Sequence, residues 1–152
     1  MFNNFILCSS TGIGKKSLTS FDNALLKSGI ANYNLVKVSS ILPANAIRQE
    51  TVTIHEGSIL HTAYAQKTIL GRNNFASAAV AVGIPVDRDK IGVIMEFSGE
   101  CSKDDAKVKV CQMVKEAMHA RGYEISEILY AVEEIWGSDE EYTTAFAALA
   151  MW

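Results

Sequence analysis

Asn34-Leu35-Val36-Lys37-Val38-Ser39-Ser40-Ile41-Leu42-Pro43 reads as an apolar strand broken by two adjacent hydroxyl residues and stopped by a proline. Val36 and Val38 favour extended backbone, and Leu42 is kept out of the helical region by the proline that follows it. The serine pair is first of all a strand terminus. It also carries a specific chemical possibility, because the Ser40 hydroxyl lies beside the Ser39 carbonyl and an N-to-O acyl shift would turn that peptide bond into an ester. The Asn34 side chain could stabilise the developing oxyanion. Along a straight strand it sits well away, so a bend or another chain segment is required.

Working outward, Phe5-Ile6-Leu7-Cys8 is a short apolar run expected as a buried strand. A glycine loop, Gly12-Ile13-Gly14, leads to a helix capped at Thr19 or Ser20, with Phe21, Ala24, Leu25 and Ile30 at near-helical spacing and Gly29 closing it. Further extended segments are expected at 47–54, 59–70 and 75–84. The alanine-rich piece Phe75 to Val82 has helical propensity, but small residues before Gly83 and Pro85 favour a strand packed under something close. Ile91 to Phe97 is a buried strand with one ionisable residue, Glu96. Ser102 and Asp105 form a near capping box. The helix they open, 103–121, aligns Ala106, Val110, Met113, Val114, Ala117 and Met118 on one stripe. Strands at 124–136 and 142–151 read as a hairpin whose acidic tip, Gly137 to Glu141, faces solvent. The order strand, helix, strand, strand recurs from Phe5 and from Ile91 without sequence identity, a weak sign of duplication. The reading is one α+β domain over residues 1–152, mainly antiparallel, with two main helices.

Composition narrows the function classes. The chain has 152 residues, 49% of them hydrophobic and 20% charged, enough for one packed core. A net charge of −3 disfavours a sequence-independent grip on nucleic acid. No apolar run is long enough for a membrane helix, and Met1 to Ser10 lacks the positive region of a secretion signal, so a cytoplasmic protein is expected. Cys8, Cys101 and Cys111 match no zinc spacing and read as buried free thiols, and His55, His61 and His119 form no metal set. Gly12-Ile13-Gly14-Lys15 lacks the earlier glycine of a phosphate loop, where Ser9 stands. No Gly-x-Ser-x-Gly elbow is present. Asp22, early in the first helix, suits the helix macrodipole. Glu133 and Glu134 fall on opposite strand faces and are assigned no role.

Taken in order, Leu18 to Leu25 with Asp22, Gly29-Ile30, Asn34-Leu35 leading to Val38-Ser39-Ser40-Ile41-Leu42-Pro43, Ile94-Met95-Glu96-Phe97-Ser98-Gly99 before Cys101-Ser102-Lys103, and Ala145-Phe146-Ala147-Ala148 near Trp152 resemble the pyruvoyl-dependent arginine decarboxylases. The resemblance runs from about residue 9 to 152, and the serine-pair run is its most specific part. It implies an αββα layered sandwich that cleaves itself between Ser39 and Ser40 into a β chain, 1–39, and an α chain, 40–152. Ser40 would become the pyruvoyl group, so neither PLP nor a metal is needed. The implied reaction takes L-arginine to agmatine and carbon dioxide, with Glu96 as proton donor and Asp22 facing the guanidinium, a role suited to bidentate hydrogen bonds. Burial by its strand would favour the protonated form of Glu96. Asn34 would serve the cleavage step. The resemblance also implies a homotrimer of cleaved protomers with active sites between neighbours, in polyamine metabolism. The sequence departs from the family at Ala44-Asn45, where a second proline is usual, and at His61-Thr62-Ala63-Tyr64-Ala65-Gln66. Rival readings are a pyruvoyl decarboxylase for another amino acid and an uncleaved homologue that binds a small cation.

Overall fold

A computed structural model describes residues 2–152. In chain order they form β1 (Asn4–Gly14), α1 (Ser17–Ser28), β2 (Asn34–Lys37), β3 (Ile41–Leu42), β4 (Ile47–Arg48), β5 (Ile59–Ile69), β6 (Phe75–Pro85), β7 (Gly92–Gly99), α2 (Lys103–Ala120), β8 (Ile125–Trp136) and β9 (Tyr142–Met151). Two sheets result, one ordered β2-β5-β9-β1-β4 and the other β3-β7-β6-β8. The four-stranded sheet is antiparallel throughout, whereas β2 runs parallel to β5 and β4 parallel to β1 at the two edges of the larger sheet.

Strand alternation builds three apolar layers. Ala63 and Ala65 of β5, Leu149 of β9, Val80 and Val82 of β6 and Ile94 of β7 meet between the sheets. On the outer face of the larger sheet, Leu60, Phe146 and Ala148 pack against Ala24 and Phe21 of α1. On the outer face of the smaller sheet, Ala79, Ala81 and Val93 pack under Ala106, Val110, Val114 and Met118 of α2. The order of layers is therefore α1, sheet, sheet, α2, the expected αββα sandwich. The alanine-rich β6 and β9 are the strands buried on both faces, and their small side chains let a helix and the opposite sheet approach together. For residues 75–84, that tertiary packing overrides helical propensity.

The capping box is present: Asp105 N–H donates to Ser102 Oγ at 3.1 Å, and the Ser102 hydroxyl returns a bond to Asp105 Oδ2 at 2.9 Å. Other expectations need correction. Gly12-Ile13-Gly14 is not a loop but the end of β1, paired along β9. A Cβ on Gly12 would collide with the Ser20 carbonyl and the Ala24 backbone, so glycine is there to let α1 lie on the strand. The helix starts at Ser17 with Lys16 as N-cap, while the Ser20 hydroxyl is inside, 2.6 Å from Thr144 Oγ1. Of 47–54, only Ile47–Arg48 pairs as strand.

The largest correction concerns Gly137 to Glu141. β8 and β9 lie in different sheets, so this segment is a crossover and not a hairpin tip. Strands from both halves of the sequence also interleave in the larger sheet, which gives the suggested duplication no support as two separate sheets.

Candidate active site

The chain passes from the larger sheet to the smaller one between β2 and β3, and Ser39-Ser40 is the middle of that passage. Its two flanks are anchored to different sheets. Val38 N–H donates to the Thr62 carbonyl of β5 at 3.2 Å, and the Ser40 carbonyl accepts from Ile94 N–H of β7 at 2.8 Å. Among the described residues, no backbone hydrogen bond engages the Ser39 carbonyl or the Ser40 N–H. Ser39 is exposed and Ser40 half-buried. The peptide between them is therefore held at its ends and unbraced in its middle.

Ile94 faces the layer between the sheets, and Glu96, two residues on, shares its face of β7 by alternation. The carboxylate emerges at the open side of the sandwich, in a cleft of ≈ 260 Å³ lined by Lys37, Tyr64, Ala65, Gln66, Glu96, Phe97 and Ser98. Burial by its own strand is incomplete, since the Glu96 side chain is 33% exposed, and Oε1 lies 3.2 Å from Lys37 Nζ. The same ammonium sits 4.7 Å from the centre of the Tyr64 ring. Lys37 and Tyr64 meet because β2 pairs parallel with β5 in the register Lys37 to Thr62. Lys37 and Tyr64 were not singled out in the sequence as site residues, although a lone cation in an apolar strand beside the serine pair was a usable signal.

Ser40 is hydrogen-bonded to Ile94, two residues before Glu96 on β7, while neither Ser39 nor Ser40 lines the Glu96 cleft. The structure does not bring Asn34 to the Ser39 carbonyl within one chain. Asn34 opens β2, roughly 16 Å from Ser39 along extended backbone, and its amide donates to the Gly57 carbonyl at 2.6 Å. Asp22 is exposed on α1 and lines a different cleft of ≈ 400 Å³ with Leu18, Thr19, Phe21 and Leu25. A chain of aromatic contacts links the two places: Phe21 to Tyr64 at 6.2 Å between ring centres, then Tyr64 to Lys37 and Glu96. The Asp22 cleft pairs apolar walls with one carboxylate, which suits a cation carried on an aliphatic stem.

The remaining titratable groups have structural surroundings. Glu134 accepts from Lys103 N–H at 2.7 Å at the start of α2. All three cysteines are free, and they are half-buried, less enclosed than expected. Burial pushes the Cys8 thiol up to about 11, with a Ser28 hydrogen bond opposing it, so it is a poor nucleophile at neutral pH.

The group implied by the resemblance is a ketone made from Ser40 itself. The residues present fit it: the Ser40 carbonyl is already fixed by Ile94 N–H, the peptide before it is free to open, and a carboxylate stands two residues beyond the anchor. Residues 4–152 match the family described as Pyruvoyl-dependent arginine decarboxylase (PvlArgDC). The chain is 37% identical over 150 residues to a pyruvoyl-dependent arginine decarboxylase of Methanococcus vannielii and 39% identical over 150 residues to that of Methanococcus aeolicus, covering 99% of this chain and 90% of each relative. To the protein of the same name from Thermococcus kodakarensis it is 40% identical over 143 residues, 93% of this chain and 90% of the relative.

Proposed function

The chain belongs to the pyruvoyl-dependent arginine decarboxylase family, and on that premise we propose that it cleaves itself at Ser39-Ser40 and decarboxylates L-arginine to agmatine and carbon dioxide. The observation that carries this reading is the Ser39-Ser40 peptide, anchored to a different sheet on either side and left unbraced beside the strand that bears Glu96. Cleavage there yields chains 1–39 and 40–152, and both new ends stay tethered, one through Val38 and the other through the Ser40 carbonyl. A pyruvoyl group at residue 40 supplies a ketone for the substrate α-amine and an electron sink for the carbon that loses carbon dioxide. PLP and metal have no part in this chemistry.

The side chains take the following roles. Glu96, two residues along β7 from the Ile94 that holds residue 40, delivers a proton to the α-carbon, a contribution of about 10²–10⁴-fold for a positioned acid. Asp22 binds the guanidinium through charge-assisted bonds while Leu18 and Leu25 flank the methylene stem. Asn34 donates to the Ser39 carbonyl across a protomer boundary, since its own β2 holds it far from that atom. This division of labour goes with a homotrimer of cleaved protomers whose sites lie between neighbours, and the exposed Leu18 and Leu26 on α1 suit such packing. Three free thiols accord with a reducing cytoplasm, and agmatine as product with polyamine metabolism.

The test is release of labelled carbon dioxide from arginine, lysine, histidine and aspartate by the wild type and by Ser40→Ala. Release from arginine by the wild type alone supports the proposal. Equal release from lysine leaves only a general decarboxylase, and activity in Ser40→Ala refutes the pyruvoyl reading.

A further inference from the structure

Lys37 is the one residue in the Glu96 cleft that is also next but one to the bond proposed to break. In the uncut chain its ammonium and the Glu96 carboxylate balance each other at 3.2 Å. Cleavage changes that balance. The Ser40 hydroxyl takes the Ser39 acyl group from nitrogen, β-elimination breaks the ester C–O bond to leave the Ser39 carboxylate, and one water enters as ammonia leaves residue 40. No electron acceptor is needed. A fixed negative charge now ends the chain two residues beyond Lys37, about 6–7 Å away at Cα along extended backbone and within reach of a lysine stem. Val38 N–H keeps that end on β5, and Ser40 stays on Ile94.

We propose that Lys37 is a positioning residue that pairs with Glu96 before cleavage and passes to the Ser39 carboxylate afterwards, leaving Glu96 free to hold the proton that the decarboxylation needs. The inference rests on the cleavage reading above. Three features favour the transfer. The Lys37 side chain is 54% exposed and its pair with Glu96 is the weak, exchangeable kind. One ammonium cannot neutralise two carboxylates, so the carboxylate it leaves loses its balancing charge. Among the described residues, no other cation competes at Glu96. Lys67 of β5 is paired with Glu100 at 3.4 Å, Lys109 of α2 sits over the Phe97 ring on the far face of β7, Tyr64 and Gln66 contribute no positive charge, and the β6 residue opposite Glu96 is Val80. The device links two events: Glu96 loses its counter-charge only once the bond is cut.

The experiment follows the protonated-carboxyl stretch of Glu96 by infrared spectroscopy without substrate, assigned by its disappearance in Glu96→Gln. Cleaved wild type and uncut Ser40→Ala are titrated side by side, and a denaturing gel reports cleavage separately. The expected result is a band that persists to higher pH in the cleaved protein than in the uncut one. Lys37→Met in the Ser40→Ala background should remove most of that difference, and Lys37→Arg should keep it. If the cleaved and uncut proteins titrate alike, or if Lys37→Met leaves the uncut protein unchanged, the transfer is overturned while the cleavage reading stands. A wild type that the gel shows uncut overturns the cleavage reading first.

Discussion

Two passages between the sheets treat their backbone in opposite ways. The crossover at 137–141 is braced from the side: Gly137 N–H donates to the Asn74 carbonyl, Gly71 N–H to the Ser138 carbonyl, and Asp139 accepts from Arg72 N–H at 2.8 Å while pairing with its guanidinium at 2.7 Å. Among the described residues, the crossover at Ser39-Ser40 is held only by its ends. Cutting the first would cost a set of cross-bonds, whereas cutting the second costs no ladder bond in either sheet. The proposed cleavage would fall on a bond that neither sheet depends on.

The sharpest way to break this comparison is Ser40→Ala. With no hydroxyl to attack the Ser39 carbonyl, cleavage and decarboxylation should both be lost, and the fold should persist because both anchoring bonds are made by backbone. Melting temperature and a denaturing gel check it. Next, Glu96→Gln should be cleaved normally yet turn over about 10²–10⁴-fold more slowly at saturating arginine. Near wild-type kcat in the cleaved variant would remove Glu96 as donor. Asp22→Asn should weaken arginine binding by up to about 1 kcal/mol, the range for a solvent-exposed ion pair, and leave cleavage unchanged. The KM for arginine measures it. Smallest in its effect on function is Gly137→Ala. Its Cβ would strike the Gly71 carbonyl, so stability should fall by about 1–3 kcal/mol in denaturant titration with cleavage at Ser39-Ser40 unaffected. Slowed cleavage in that variant would show that the two crossovers are coupled.

Local signals in the sequence identified the elements that local chemistry controls. The stripe on α2, its Ser102 cap and the apolar run of β7 were legible because each depends on residues within a few positions of one another. Sheet membership was not. Gly137 to Glu141 has the composition of a hairpin tip, but the alanines of β9 can be buried on both faces only between α1 and the other sheet, and that packing is non-local. Gly12 and Gly14 misled for the same reason, since what they accommodate is a helix that arrives later in the chain.

The candidate site divides similarly. Ser39, Ser40 and Glu96 stand out in sequence as a hydroxyl pair and a lone carboxylate in apolar strands. Lys37 beside Tyr64 and Glu96 does not, because the contact is created by the parallel register of β2 on β5 and by the approach of β5 to β7. Asn34 and Asp22 were legible as residue types, while their separation from the Ser39 carbonyl and from the Glu96 cleft is a property of the assembled chain.

The central claim is that the bond between the two sheets is cut by its own serine, and the intact mass of the denatured wild-type protein tests it most directly. The account predicts two chains, 1–39 and 40–152, whose masses sum to that of the full sequence plus one water less one ammonia. A single full-length mass, a cut at another bond, or a pair lacking the ammonia loss would contradict it.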